Sequence, residues 1–150
     1  MHIIILIILI GTFSLSAYAS KDDLGTCVAE ASLNYGVPQR IIKSIMLVEG
    51  GKVGMETINR DSSFDLGIMQ INDSQPWFRV LEKAGFDREL LINNGCANIW
   101  GGTFILASEI YSAKEFWKGV ANYHNRREPY HSRYLNKVKK AWVKVGEQRY

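Results

Sequence analysis

A mainly α-helical domain with one small β element, α+β overall, is what this sequence predicts, and three observations predict it. Apolar residues recur at three- and four-residue spacing in one segment after another. That period is lost between Lys52 and Leu66, where Asn59, Asp61, Ser62 and Ser63 concentrate turn-forming side chains. Gly or Pro punctuates the helical stretches, as at Gly36, Pro38, Gly50-Gly51, Pro76 and Gly95.

The chain has 150 residues, and the first nineteen read as a signal peptide rather than as part of the fold. Ile3 to Leu15 is almost unbroken apolar sequence, and Ala17-Tyr18-Ala19 carries the small-x-small pattern of a cleavage site after Ala19. The run is short of the roughly 20 residues a membrane span needs. Met1-His2 supplies no Lys or Arg ahead of it, which leaves an uncleaved anchor open. Residues 20–150 are then one domain of ordinary size, exported to the periplasm and free of the membrane once the signal is removed.

Asp22-Asp23 opens a first helix, with Leu24, Cys27, Val28 and Ala31 on one side and Gly36 as its stop. Pro38 starts the second, where Ile41, Ile45 and Val48 form an apolar row beside Ile42, Met46 and Glu49. A small hairpin fits Lys52 to Leu66, and Gly67 to Asn72 reads as the start of a short helix. Pro76 to Lys83 and Asp87 to Leu91 are two more. After Asn94-Gly95 comes the most apolar helix, with Cys96, Ile99, Thr103, Leu106 and Ile110 in one row and Trp100, Phe104, Ala107 and Tyr111 alongside; it should be central and largely buried. Phe116 to Tyr123 and about Ser132 to Val145 complete the set.

Cys27 and Cys96 are an even pair, which in an exported chain reads as a disulfide joining the first helix to the central one. Two buried free thiols are the alternative if export is wrong. Net charge is +3, with the excess in the last third, where Lys137, Lys139, Lys140, Lys144 and Arg149 lie. An anionic wall polymer or membrane surface suits an exported protein better than nucleic acid does, and a solvated helix face accounts for the same charges.

Two places carry chemistry. Glu49 ends a strongly apolar helix, where the negative end of the helix dipole and partial desolvation both disfavour the anion and raise its pKa toward that of a general acid. An exposed terminal Glu is the bland reading. Sixteen residues on comes Asp65-Leu66-Gly67-Ile68-Met69-Gln70-Ile71-Asn72, in which Gly67 permits close backbone approach while Gln70 and Asn72 offer amides to a sugar-like ligand. Alone, it is also consistent with a turn.

Glu49 at a helix end, Gly67-Ile68-Met69-Gln70-Ile71-Asn72, Cys96-Ala97-Asn98-Ile99-Trp100-Gly101-Gly102 and Val120-Ala121-Asn122-Tyr123-His124-Asn125, in that order, resemble the lysozyme-like superfamily. The likeness is greatest to the small lytic transglycosylases of secretion, conjugation and pilus systems, and it spans roughly Cys27 to Trp142. It implies a lysozyme-like fold and cleavage of the MurNAc–GlcNAc β-1,4 bond of peptidoglycan to a 1,6-anhydro product. Glu49 would be the acid/base, Met69, Gln70 and Asn72 would line the cleft, and the Tyr123 hydroxyl would orient Glu49. Asn98 would tether the central helix. Two positions depart from the family pattern: Gly50 stands where Ser usually follows the catalytic Glu, and His124, grouped here with the substrate-orienting residues, stands where Asn usually follows the Tyr.

Asp65 also matches the second carboxylate of animal-type lysozymes, which would make the chain a retaining muramidase using Glu49 and Asp65. A capping or turn residue is the other role open to it. A wall-binding assembly protein that has lost catalysis is the alternative from another class. Partners implied are glycan strands and components of an envelope-spanning machine, with no nucleic acid. No cofactor and no metal is expected, since neither His-Glu-x-x-His nor Cys-x-x-Cys is present and His124 and His131 lack metal-pair spacing.

Overall fold

The computed structural model describes residues 23–147, so the expected signal peptide at 1–19 lies outside the described residues. Seven helices and three short strands follow in the order α1 (Leu24–Tyr35), α2 (Gln39–Glu49), β1 (Glu56–Ile58), β2 (Phe64–Leu66), β3 (Ile71–Asn72), α3 (Pro76–Lys83), α4 (Arg88–Asn93), α5 (Gly95–Ala113), α6 (Phe116–Asn122) and α7 (Tyr130–Glu147).

Local chemistry sets most of these boundaries. Asp23 caps α1 by accepting from the Gly25 N–H, Asp87 caps α4 through Leu90, and Asn94 caps α5 through Ala97. Gly36 and Gly50 end α1 and α2 in the left-handed conformation. At Gly50, φ is 65°, so the chain turns away directly after Glu49 and leaves that side chain at an open helix end.

The core is built on α5, whose Ile99 and Leu106 are fully buried. It packs against α1 on one flank and α6 on the other, with α4 at its beginning. Helix α2 contributes Ile41, Ile42 and Ile45 and lies along α7, which answers with Tyr134, Val138 and Ala141. Arg40 fastens that pair: its Nε donates to the Trp142 carbonyl at 2.7 Å, and its guanidinium carbon lies 3.5 Å from the centroid of the indole it covers. The registration matters because α2 carries Glu49 and α7 carries its nearest polar partner.

The β element is larger than a hairpin. It is an antiparallel sheet in the order β1-β2-β3, with Asp65 in the central strand opposite Thr57 on one side and Asn72 on the other. The short helix expected from Gly67 does not form; residues 67–70 are a turn leading into β3. Left-handed backbone at Gly67 (φ 64°) and Gln70 (φ 50°) breaks the helical path, and Asn98 of α5 claims the polar groups that a helix would have used.

Cys27 of α1 and Cys96 of α5, 69 positions apart in sequence, form a disulfide with their Cα atoms 5.2 Å apart. By the chain-entropy model a loop of that length contributes up to about 4 kcal/mol. Urea unfolding of oxidised and reduced protein should show a loss approaching that figure; a difference below about 1 kcal/mol would mean that packing between α1 and α5 holds the pair without the bond.

Candidate active site

Glu49 reaches its position because α2 is drawn into the core by Ile41, Ile42 and Ile45, leaving its last residue at the edge of an open cleft of about 1040 Å³. Burial pushes the Glu49 carboxyl up to about 7; the Tyr134 hydroxyl works against that shift, the Asp65 carboxylate adds to it, and the Lys137 ammonium opposes it. Desolvation wins, so near neutral pH this carboxyl is divided between acid and base forms.

The hydroxyl that touches Glu49 belongs to Tyr134, not to Tyr123. Tyr134 Oη donates to Glu49 Oε1 at 2.6 Å from a ring that is 4% exposed. Tyr123 Oη donates instead to the Met69 carbonyl at 2.8 Å, and the residue lines the same cleft. Burial pushes the Tyr123 hydroxyl far above its usual range, with the fields of Glu49 and Asp65 adding to the effect, so it remains a proton donor to that carbonyl. His124 lies flat on Tyr134, ring centroids 4.7 Å apart and planes 13° from parallel, and so backs the tyrosine that holds Glu49. Burial lowers the His124 pKa and the Asp65 carboxylate raises it.

The turn between β2 and β3 reaches the cleft through Gln70. Asn98 fixes that turn: its Oδ1 accepts from the Met69 N–H, while its Nδ2 donates to the Leu66 and Leu91 carbonyls, each at 2.8 Å. A fully buried amide with every contact satisfied is a tether, as the sequence suggested. Met69 does not line the cleft. Its side chain is fully buried against Gly102, where an added Cβ would collide with the sulfur, so it acts through its backbone. Gln70 does line the cleft, its Nε2 donating to the Gly67 carbonyl at 2.8 Å. Asn72 lines it too and donates through Nδ2 to Asp65 Oδ1 at 2.8 Å and to Ser63 Oγ at 3.0 Å. Glu49, Asp65, Gln70, Asn72, Tyr123 and His124 therefore share one cleft.

Sequence reasoning missed a second buried carboxylate on the cleft wall. Glu109 of α5 is 3% exposed, accepts from Trp77 Nε1 at 2.7 Å, and is gripped by Arg126 through Nε at 3.2 Å and Nη2 at 2.7 Å. All three residues line the cleft. The signal was present: Gly102, Leu106 and Glu109 fall on one face of the most apolar helix, an anomaly of the same kind as Glu49. Tyr134 gave a weaker one, since a hydroxyl on the buried row with Val138 and Ala141 requires a partner. Among the described residues no three His, Cys, Asp or Glu side chains are placed to hold a metal ion, and no helix is long and apolar enough to cross a membrane.

Residues 26–141 match the family model described as the transglycosylase SLT domain. Protein IpgF of Shigella flexneri is 28% identical over 125 residues, covering 83% of this chain and 76% of its own length. A peptidoglycan-binding-like protein of Escherichia coli O157:H7 is 34% identical over 121 residues, 74% of this chain and 71% of that one. Invasion protein IagB of Salmonella typhi is 28% identical over 126 residues, 81% and 78% respectively. With the cleft, the helix-terminal Glu and the small sheet all inside the matched span, the chain belongs to the transglycosylase SLT domain family, within the lysozyme-like superfamily.

Proposed function

We propose that this protein is a peptidoglycan lytic transglycosylase that cleaves the MurNAc–GlcNAc β-1,4 bond with Glu49 as acid and then base. The observation that carries the reading is the Glu49 carboxyl at the edge of an open cleft, held by the Tyr134 hydroxyl at 2.6 Å, where burial pushes it up to about 7. In its protonated form Glu49 gives a proton to the glycosidic oxygen as the bond from C1 breaks. The muramyl N-acetyl oxygen or the C6 hydroxyl of the same sugar attacks C1, and Glu49, now a carboxylate, takes the C6 hydroxyl proton. No water enters, and the product is a 1,6-anhydro sugar.

Hydrolysis by a retaining route is the second reading, favoured by one observation. Asp65 lines the same cleft, close enough for its charge to act on Glu49, and Asn72 holds its Oδ1. Mature protein, Glu49→Gln and Asp65→Asn digesting purified wall, with the muropeptides weighed, separate the two. Anhydro products from wild type and Asp65→Asn, and none from Glu49→Gln, are expected. Reducing ends that need both carboxylates would make the protein a lysozyme. A folded wild type that cleaves nothing would favour a wall-binding assembly role.

Tyr134→Phe removes the one hydrogen bond that holds the Glu49 pKa down. Turnover is expected to fall roughly 10-fold through loss of orientation. The alkaline limb of the pH–rate profile should move to higher pH, because the carboxyl then keeps its proton longer; a limb moving to lower pH would contradict the assignment.

Export to the periplasm is part of the proposal, supported by the apolar segment before Ser20 and the disulfide, a bond of oxidising compartments. So is a role in opening the wall for an envelope-spanning machine, supported by the family resemblance and by a relative named as an invasion protein.

A further inference from the structure

We propose that the cleft binds the free carboxylates of the peptide stems carried by muramyl residues through three arginines that line it, Arg60, Arg126 and Arg127. The inference rests on the glycan-cleaving reading for the identity of the ligand, and on the following geometry for the site.

All three arginines line the cleft that holds Glu49, Arg60 from the turn between β1 and β2 and the other two from the segment after α6. The acids of the same cleft are already occupied. Glu109 is bound by Trp77 and Arg126, and Asp61 is folded into its own turn, accepting from the Ser63 N–H at 3.1 Å and Ser63 Oγ at 2.7 Å. Asp65 accepts from Asn72, and Glu49 from Tyr134. The arginines are not matched in the same way. Among the described residues the guanidinium groups of Arg60 and Arg127 make no hydrogen bond or ion pair, and Arg126 spends Nε and Nη2 on Glu109 and leaves Nη1 free. Arg126 is also held in place: its side chain is 63% exposed, yet it is anchored to a carboxylate that is 5% exposed. The indole of Trp77, edge-on to Phe104 at 5.9 Å and bonded to the same Glu109, fixes the wall beside it.

A β-1,4 chain of N-acetylated sugars is neutral once its lactyl groups are in amide linkage, so it offers a guanidinium only neutral acceptors. The peptide stems carry the anions, and a guanidinium fork matches a carboxylate in shape as well as in charge. Three arginines in a cleft for a neutral chain are accounted for by those stems, and they make a muramyl residue bearing a peptide the preferred occupant.

Binding to Glu49→Gln protein tests this without cleavage. Two probes are compared by calorimetry: a peptidoglycan tetrasaccharide carrying tetrapeptide stems with free carboxylates, and the same compound with those carboxylates amidated. The free acid should bind roughly tenfold more tightly, a preference that salt weakens. Adding Arg60→Gln and Arg127→Gln together should bring the two probes to within about twofold, with binding of the amidated probe little changed. These two are the working substitutions because neither side chain supports the fold through a bond of its own. Equal binding of the probes, or a preference that survives the double substitution, overturns the proposal. Wall cleavage by the wild type together with equal binding would leave the proposed reaction standing and remove only the carboxylate recognition; carboxylate-dependent binding by a protein that cleaves nothing would do the reverse.

Discussion

Glu49→Gln is expected to abolish glycan cleavage while leaving the protein folded. Loss of the acid should lower kcat at least ~10³-fold, since an amide can neither donate the proton to the leaving oxygen nor recover one from the attacking hydroxyl. The substitution nearly preserves shape, and the new side-chain carbonyl can still accept from the Tyr134 hydroxyl, so the α2–α7 contact remains. A second effect runs with pH. A carboxyl whose folded-state pKa is about 7 against an ordinary value of 4.5 contributes no destabilisation when it is protonated in both states, and it costs the fold progressively as it must ionise. Stability tied to this group is therefore fully present below about pH 4.5 and lost as pH rises through about 7. Relative to wild type, Glu49→Gln should gain up to about 3 kcal/mol between those limits and hold the gain above them. Denaturant titrations at pH 4 and pH 8 measure the difference; no change in the gap between the two proteins would mean that Glu49 is not desolvated, and the general-acid assignment would lose its physical basis.

Arg126→Gln is expected to be the costlier half of an unequal pair. Glu109 has a side chain 5% exposed, whereas Arg126 is 63% exposed. Removing the arginine strands a carboxylate inside the protein with only Trp77 Nε1 to compensate it, at a cost of about 2–3 kcal/mol, near the low end for a broken buried pair because the cleft admits water. Glu109→Gln keeps an acceptor for the indole and releases an arginine into solvent, which should cost under about 1 kcal/mol. The double substitution should be close to Glu109→Gln alone. Urea unfolding of the three variants reads this directly, and equal losses from the two single substitutions would show that the pair is solvated at both ends.

Most helices were readable because several signal an end within a few residues: Asp23, Asp87 and Asn94 as caps, Gly36 and Gly50 as stops. Glu49 was readable because a carboxylate at the end of an apolar row contradicts its neighbours. The turn at 67–70 was not, because its apolar spacing also suits a helix and what excludes the helix is a side chain 29 residues away, Asn98 on the Met69 N–H. Tyr134 on Glu49 spans 85 positions, and Trp77 on Glu109 spans 32. The need for a partner shows locally in each case, but its identity, chosen across such distances, does not. The family motif points to Tyr123 as the tyrosine beside Glu49, whereas the hydroxyl in contact with Glu49 is that of Tyr134.

The three hydrogen bonds of Asn98 have a mechanical consequence for the cleft. One amide, rooted in the most deeply packed helix, is joined to the end of β2, to α4 and to the turn that carries Gln70 into the cleft. None of these can shift without dragging the others, and all are anchored to the same beam. That turn is thus an anvil rather than a hinge. If the cleft adjusts to a bulky ligand, the turn of residues 59–63 is the better placed to move: it hangs between β1 and β2 and, among the described residues, is tied to β3 through Asn72 Nδ2 on Ser63 Oγ.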